Sequence, residues 1–203
     1  MSVTAEQLAA EFAPLAAADF IPLPPLPKPV PPKPAPAAAP AAPAADGTPA
    51  PAPAPKPAPA PAVPVAPPPP PPKAVDVYNF AEKGFHFEAT VPADKVVEAA
   101  QILDRHGFAI DAVTGMDWLD QGLMEVVYDF LHFPTGLRAV VKARIPRAKP
   151  EIATISGVFP GANWHERETH DMYGIEFIGH PDMTPFLMPE DSTDHPLRKD
   201  FNP

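Results

Sequence analysis

Between residues 124 and 145 apolar side chains fall on every second position. Met124, Val126, Tyr128 and Phe130 interleave with Glu125 and Asp129, and beyond a Pro134-Thr135-Gly136 turn Leu137, Ala139, Val141, Ala143 and Ile145 interleave with Arg138, Lys142 and Arg144. A period of two puts each set on one face of a strand, so the stretch predicts a β-hairpin. Its polar faces have opposite sign, and cross-strand pairs at roughly 0.2–1 kcal/mol each favour the register without marking a site. Phe85, Phe87 and Ala89 alternate with His86, Glu88 and Thr90 over residues 84–91, predicting another strand with His86 exposed. Residues 108–118 predict a third, broken at Gly115. Pro92 followed by Val96, Val97, Ala100 and Leu103 has the spacing of a helix that Gly107 ends. Near the start, Thr4 can cap a short helix whose Leu8, Phe12 and Leu15 share one narrow stripe and which Pro14 stops. That element reads either as a fraying helix or as a docking peptide for a neighbour's groove.

The periodicity fails after residue 160. A helix over about 161–173 sets Glu166, Arg167, Glu168, His170 and Asp171 all round its circumference, with only Trp164, Met172 and Tyr173 as large uncharged residues. Such a helix must bury charge in ion pairs or give it to a partner; Arg167 is expected to pair with flanking carboxylates, Asp171 at i+4 among them. Gly174 in the left-handed conformation should end it. Gly179, Pro181, Pro185, Pro189 and Pro196 then exclude long regular structure, which predicts an extended arm over 179–203. The arm carries Met183, Phe186, Leu187, Met188, Leu197 and Phe201 without a period, so it needs another surface to lie on and should be mobile without one.

Composition changes the picture in the first third. Of 203 residues 36 are proline, and 25 of these lie among the 51 residues from 22 to 72. Without large apolar side chains after Leu26 this span, with residue 73, reads as a disordered Pro/Ala-rich linker rich in polyproline II. The division is a short N-terminal helix or docking peptide over 1–21, the linker over 22–73, an α+β domain over 74–178 and the arm. The domain is expected to stay folded without residues 1–73. Its fold class is α+β, a largely antiparallel sheet with helices on one face.

The formal charge of −10 arises entirely after residue 73, which disfavours nucleic acid and anionic lipid as partners. There is no cysteine, so no cysteine-ligated iron–sulfur cluster belongs to this chain. No apolar run reaches 18 residues, which predicts no direct membrane insertion and a cytoplasmic location.

Residues 163–200 hold Asn163-Trp164, Glu166-Arg167-Glu168, Asp171-Met172-Tyr173-Gly174-Ile175, Gly179-His180-Pro181-Asp182, Met188-Pro189-Glu190-Asp191 and His195-Pro196-Leu197-Arg198-Lys199-Asp200. This ordered set resembles the C-type (thirty-kilodalton) subunit of NADH:quinone oxidoreductase, respiratory complex I, and its relatives in energy-converting nickel–iron hydrogenases, over about residues 84–203. Thr169-His170 and Met183-Thr184-Pro185-Phe186 depart from the respiratory pattern and incline the reading slightly towards a hydrogenase-type relative. The resemblance implies a non-catalytic assembly subunit of a hydrophilic arm, peripheral to the inner membrane, bracing the large subunit of the quinone or nickel–iron module. It implies no cofactor in this chain, with iron–sulfur clusters, flavin or nickel–iron and quinone in partner subunits. The interface it implies comprises Trp164, Glu166, Arg167, Glu168, Asp171, Tyr173, Gly174, His180, Pro181, Glu190, Asp191, His195, Pro196, Leu197, Arg198, Lys199 and Asp200.

An alternative is a stand-alone metal-dependent or acid–base enzyme using His165, Glu168, His170 and Asp171. Its spacing is poor for zinc: His165 and His170 are five apart, whereas a shared metal needs i, i+4 on one face. No Gly-rich phosphate loop or nucleophile elbow supplies the rest of an active site. His180 and His195, each followed by proline, are expected to orient turns, and Arg198-Lys199-Asp200 to form a docking contact.

Overall fold

A computed structural model describes residues 3–18 and 73–202, which belong to one compact unit; the proposed linker, apart from residue 73, lies outside the described residues. The alternating stretches form a five-stranded sheet. Its strands are β1 (Val75–Val77), β2 (Phe87–Val91), β3 (Ala109–Trp118), β4 (Leu123–His132) and β5 (Leu137–Pro146), in the order β1-β2-β5-β4-β3. All neighbours are antiparallel except β2 and β5, which run parallel because the helix between β2 and β3 carries the chain across the sheet. The hairpin register is the one the opposite-sign faces predict near its open end: Glu125 faces Arg144, and Arg144 Nε donates to Glu125 Oε1 at 2.9 Å. Lys142 instead pairs with Glu88 on β2, and Arg138 with Asp111 on β3.

The inward face of the sheet, from Phe87 through Tyr128 to Ile145, is covered by helix α3 (Val96–Arg105) through Val96, Ala99, Ala100, Ile102 and Leu103. A one-turn helix α2 (Phe80–Lys83) links β1 to β2; both β1 and α2 are too short to leave a periodic signature. His86 is not a simply exposed strand residue: its Nδ1 accepts the Arg138 N–H at 3.0 Å and its ring stacks on Phe80.

The N-terminal residues correct the expectation that the domain is independent of them. Thr4 and Gln7 form a reciprocal capping box at the start of helix α1 (Ala5–Phe12). Leu8, Phe12 and Leu15 join the core, with Phe12 edge-on to Phe87 at 5.1 Å. Glu11 pairs with His106 at 2.7 Å, and Ala17 N–H donates to Thr90 O.

Gly115 does not break β3; the irregularity is a bulge between Ile110 and Ala112. Gly115 is needed because the Tyr173 ring lies against it: an added Cβ would meet Tyr173 Cδ2 at 2.5 Å. Tyr173 belongs to helix α4 (Ala162–Tyr173), which packs along edge strand β3 and ends at Gly174, φ 68°. Beyond it β7 (Glu176–Ile178) pairs in parallel with β6 (Glu151–Ala153), so the root of the arm is anchored in a two-stranded sheet.

Candidate functional site: helix α4 and the arm

Helix α4 buries Ala162, Glu166, Thr169 and Asp171. It is therefore held mainly by polar contacts, each of which needs a partner in the surrounding chain. Glu166 is fully buried. Its Oε1 accepts the Ile155 N–H at 2.8 Å and its Oε2 the Thr154 hydroxyl, while His180 Nε2 stands 3.8 Å away. Burial pushes its carboxyl up to about 7, and the two hydrogen bonds offset only part of that. The buried Tyr128 hydroxyl has no hydrogen-bond partner among the described residues, and burial with the nearby Glu166 carboxylate raises it well above the usual phenol value.

Asp171 organises the arm. Its Oδ2 accepts the backbone N–H groups of Phe186, Leu187 and Met188 at 2.8, 2.6 and 3.1 Å. Burial alone would raise its carboxyl; these three donors, with His170 nearby, outweigh burial and hold it below the usual carboxylate range. The expected Arg167–Asp171 pair does not form, because Asp171 is turned to the arm. Arg167 likewise reaches the arm, donating to Thr184 O at 2.9 Å and Thr184 Oγ1 at 3.1 Å, with Asp182 at 3.8 Å. Its guanidinium lies 5.8 Å from the Trp164 ring centre and 5.4 Å from that of Phe186.

The far end of the arm closes the helix. His195 Nδ1 bonds to Asp171 O, Leu197 N–H to Met172 O and Arg198 Nε to Tyr173 O at 2.9, 3.1 and 2.7 Å. These are carbonyls that a helix leaves unpaired, and a cation suits that end of the dipole. Lys199 N–H and Arg147 both bind Asp117, and Arg147 also reaches Asp200. Arg198, Lys199 and Asp200 are thus tied to their own domain, and the arm lies on that domain, which corrects the expectation that it needs another surface to lie on.

His180 orients a turn. Its Nδ1 accepts Asp182 N–H at 3.1 Å, so Nε2 carries the proton and donates to Asn163 O. Pro181, Glu190 and Asp191 are exposed, Pro196 half-buried. What the arm leaves open is apolar: Trp164, Ile178, Leu187 and Leu197 are each half or more exposed. Where α4 meets β3 there is a groove of about 300 Å³, with His165, Glu168, Met172 and Leu197 at its lining.

The four residues of the enzyme alternative are not assembled. Asp171 faces the arm, His170 Nδ1 bonds Ile175 O at 3.0 Å, and His165 and Glu168 line the groove. Among the described residues no group of three or more His, Cys, Asp or Glu side chains is placed to hold a metal ion. Two contacts give no signal in sequence: Thr154 as the partner of Glu166, and Asp117 as the anchor of residues 199 and 200.

Residues 89–203 match the family model described as the respiratory-chain NADH dehydrogenase 30 kDa subunit. The C subunit of NADH-quinone oxidoreductase from Roseiflexus sp. (strain RS-1) is 40% identical over 116 residues, spanning 54% of this chain and 66% of the relative. The joint C/D subunit of the same enzyme from Phocaeicola vulgatus is 41% identical over 115 residues, spanning 55% of this chain and 22% of the relative. Among solved structures, a chain of the membrane-bound sulfane sulfur reductase, an archaeal respiratory membrane complex, superposes with a TM-score of 0.57 at 30% identity, over 64% of this chain and 78% of that one.

Proposed function

This chain belongs to the family of the respiratory-chain NADH dehydrogenase 30 kDa subunit, and on that premise we propose that it is an assembly subunit of a complex-I-like membrane-associated oxidoreductase, with no active site of its own. The observation that carries the reading is the division of labour in the arm. The arm is fixed to α4 through Asp171 and Arg167 of the helix and through its own His195 and Arg198, while Trp164, Ile178, Leu187 and Leu197 stay exposed around it. A frame that holds apolar side chains towards solvent is a preformed docking surface and lowers the entropic cost of association.

The partner we propose is the large subunit of the quinone or nickel–iron module. Support comes from the relative whose name joins C and D subunits in one protein, since fusion keeps two chains that pack together at fixed stoichiometry. Flavin, iron–sulfur clusters, nickel–iron and quinone then reside in partner chains, and attachment to the membrane runs through them. No helix among the described residues is long and apolar enough to cross a membrane.

The test is purification through a tag on this chain. Wild type should bring down the large subunit, and Trp164→Asp or Leu187→Asp should lose most of it while melting at the wild-type temperature. Unchanged recovery with both variants, or redox turnover by the chain alone, would overturn the reading.

A further inference from the structure

The charged residues of α4 are engaged unequally. Glu166 is held by Thr154 and Ile155, Arg167 by Thr184, His170 by Ile175 O and Asp171 by three arm amides. Glu168 is the exception. It is exposed, and no hydrogen bond or ion pair from the described residues reaches it. It stands at the groove between α4 and β3, where Ala112 and Thr114 line the β3 side and Leu197 of the arm forms part of the rim; Gly115, also at the lining, is covered by the Tyr173 ring. Leu197 belongs both to this lining and to the exposed apolar surface.

We propose that this groove is a receptor for one basic side chain of the large subunit, its apolar stem lying against Ala112 and Leu197 and its cationic head paired with Glu168. The inference rests on the assembly reading above and names the contact that orients it. Three features select this occupant. A carboxylate that loses water without gaining a donor is unfavourable, so a docked surface covering Glu168 must bring a cation. The chain beyond residue 73 carries the whole net charge of −10, which favours a basic partner surface. A volume of about 300 Å³ takes an arginine or lysine side chain and is too open to exclude water unaided. His165, also at the groove, adds no charge when neutral and can accept a hydrogen bond from the same cation.

The experiment measures release of the large subunit from the purified complex after dilution, for wild type, Glu168→Gln and Ala112→Leu. The first variant removes the charge and the second fills the part of the groove beside Ala112. Each should speed release about tenfold or more, and added salt should speed wild-type release but not that of Glu168→Gln. Melting of each free chain serves as the folding control, and for Glu168→Gln it should match wild type because Glu168 has no partner to lose. Wild-type release rates in Glu168→Gln, or in an Ala112→Leu chain that melts normally, would overturn the proposal while leaving the assembly reading intact. A wild-type chain that never retains the large subunit would overturn both.

Discussion

Replacing Glu166 by Gln should stabilise the protein above neutral pH and leave it nearly unchanged in mild acid. The buried carboxyl is pushed up from 4.5 to about 7, so the folded protein prefers its neutral form. A carboxyl whose folded pKa is raised contributes stability in full below its unfolded value. That contribution is lost as pH rises through the window from 4.5 to about 7 and stays lost above it. At about 1.36 kcal/mol per pH unit, the window corresponds to roughly 3 kcal/mol. Gln resembles the neutral acid in carrying no charge and keeps both partners: its oxygen can accept from Ile155 N–H, and its amide can donate to Thr154 Oγ1, the reverse of the bond in which the Thr154 hydroxyl donates to Glu166. The assay is urea unfolding of both proteins at pH 5 and pH 8. The two curves should nearly coincide at pH 5, and at pH 8 the variant should be more stable by about 3 kcal/mol, a shift on the order of 10 °C in Tm. A variant less stable by a similar amount at both pH values would show that Glu166 is an ionised, well-bonded carboxylate, and would refute the argument from burial.

Gly115→Ala should cost about 1–3 kcal/mol through collision with the Tyr173 ring, and the cost should shrink in a Tyr173→Leu background; equal costs in both backgrounds would mean the ring is not what excludes a Cβ. Deleting residues 1–18 removes Leu8, Phe12 and Leu15 from the core, each worth roughly 1.5–3 kcal/mol of burial. Even half of that sum lowers Tm by about 10 °C, whereas an unshifted melt would return α1 to the status of a detached peptide. Asp171→Asn should accelerate hydrogen exchange at Phe186, Leu187 and Met188 while β4 and β5 stay protected; unchanged exchange at all three would mean that something other than this carboxylate holds the arm. In wild type the Asp171 contribution is present above the ordinary carboxylate pKa and lost as pH falls through the depressed folded value.

The hairpin of β4 and β5 is legible in the sequence because ten-residue strands with one buried face leave a period that nothing else mimics. The Tyr173-Gly174 terminus of α4 is legible because few residues but glycine take a left-handed φ. Three-residue strands such as β1 and β7 are below the length at which alternation can be seen. The arm escapes the sequence for a different reason. Its attachments run from side chains to backbone groups, His195 to Asp171 O and Asp171 to Leu187 N–H among them, and backbone groups are the same at every position. The i, i+4 rule points Arg167 at Asp171 because it weighs only neighbours on the same helix. Gly115 resembles a strand break because the ring that requires it is 58 positions further along.

The closing of α4 by residues 195–198 has a consequence for how the protein comes into being. The helix is synthesised before the segment that pairs its last carbonyls, so during translation its C-terminal turn waits, hydrated and fraying, for Arg198 to emerge. Chains interrupted upstream of His195 leave the carbonyls of Asp171, Met172 and Tyr173 without these partners and lack Leu197 beside the groove.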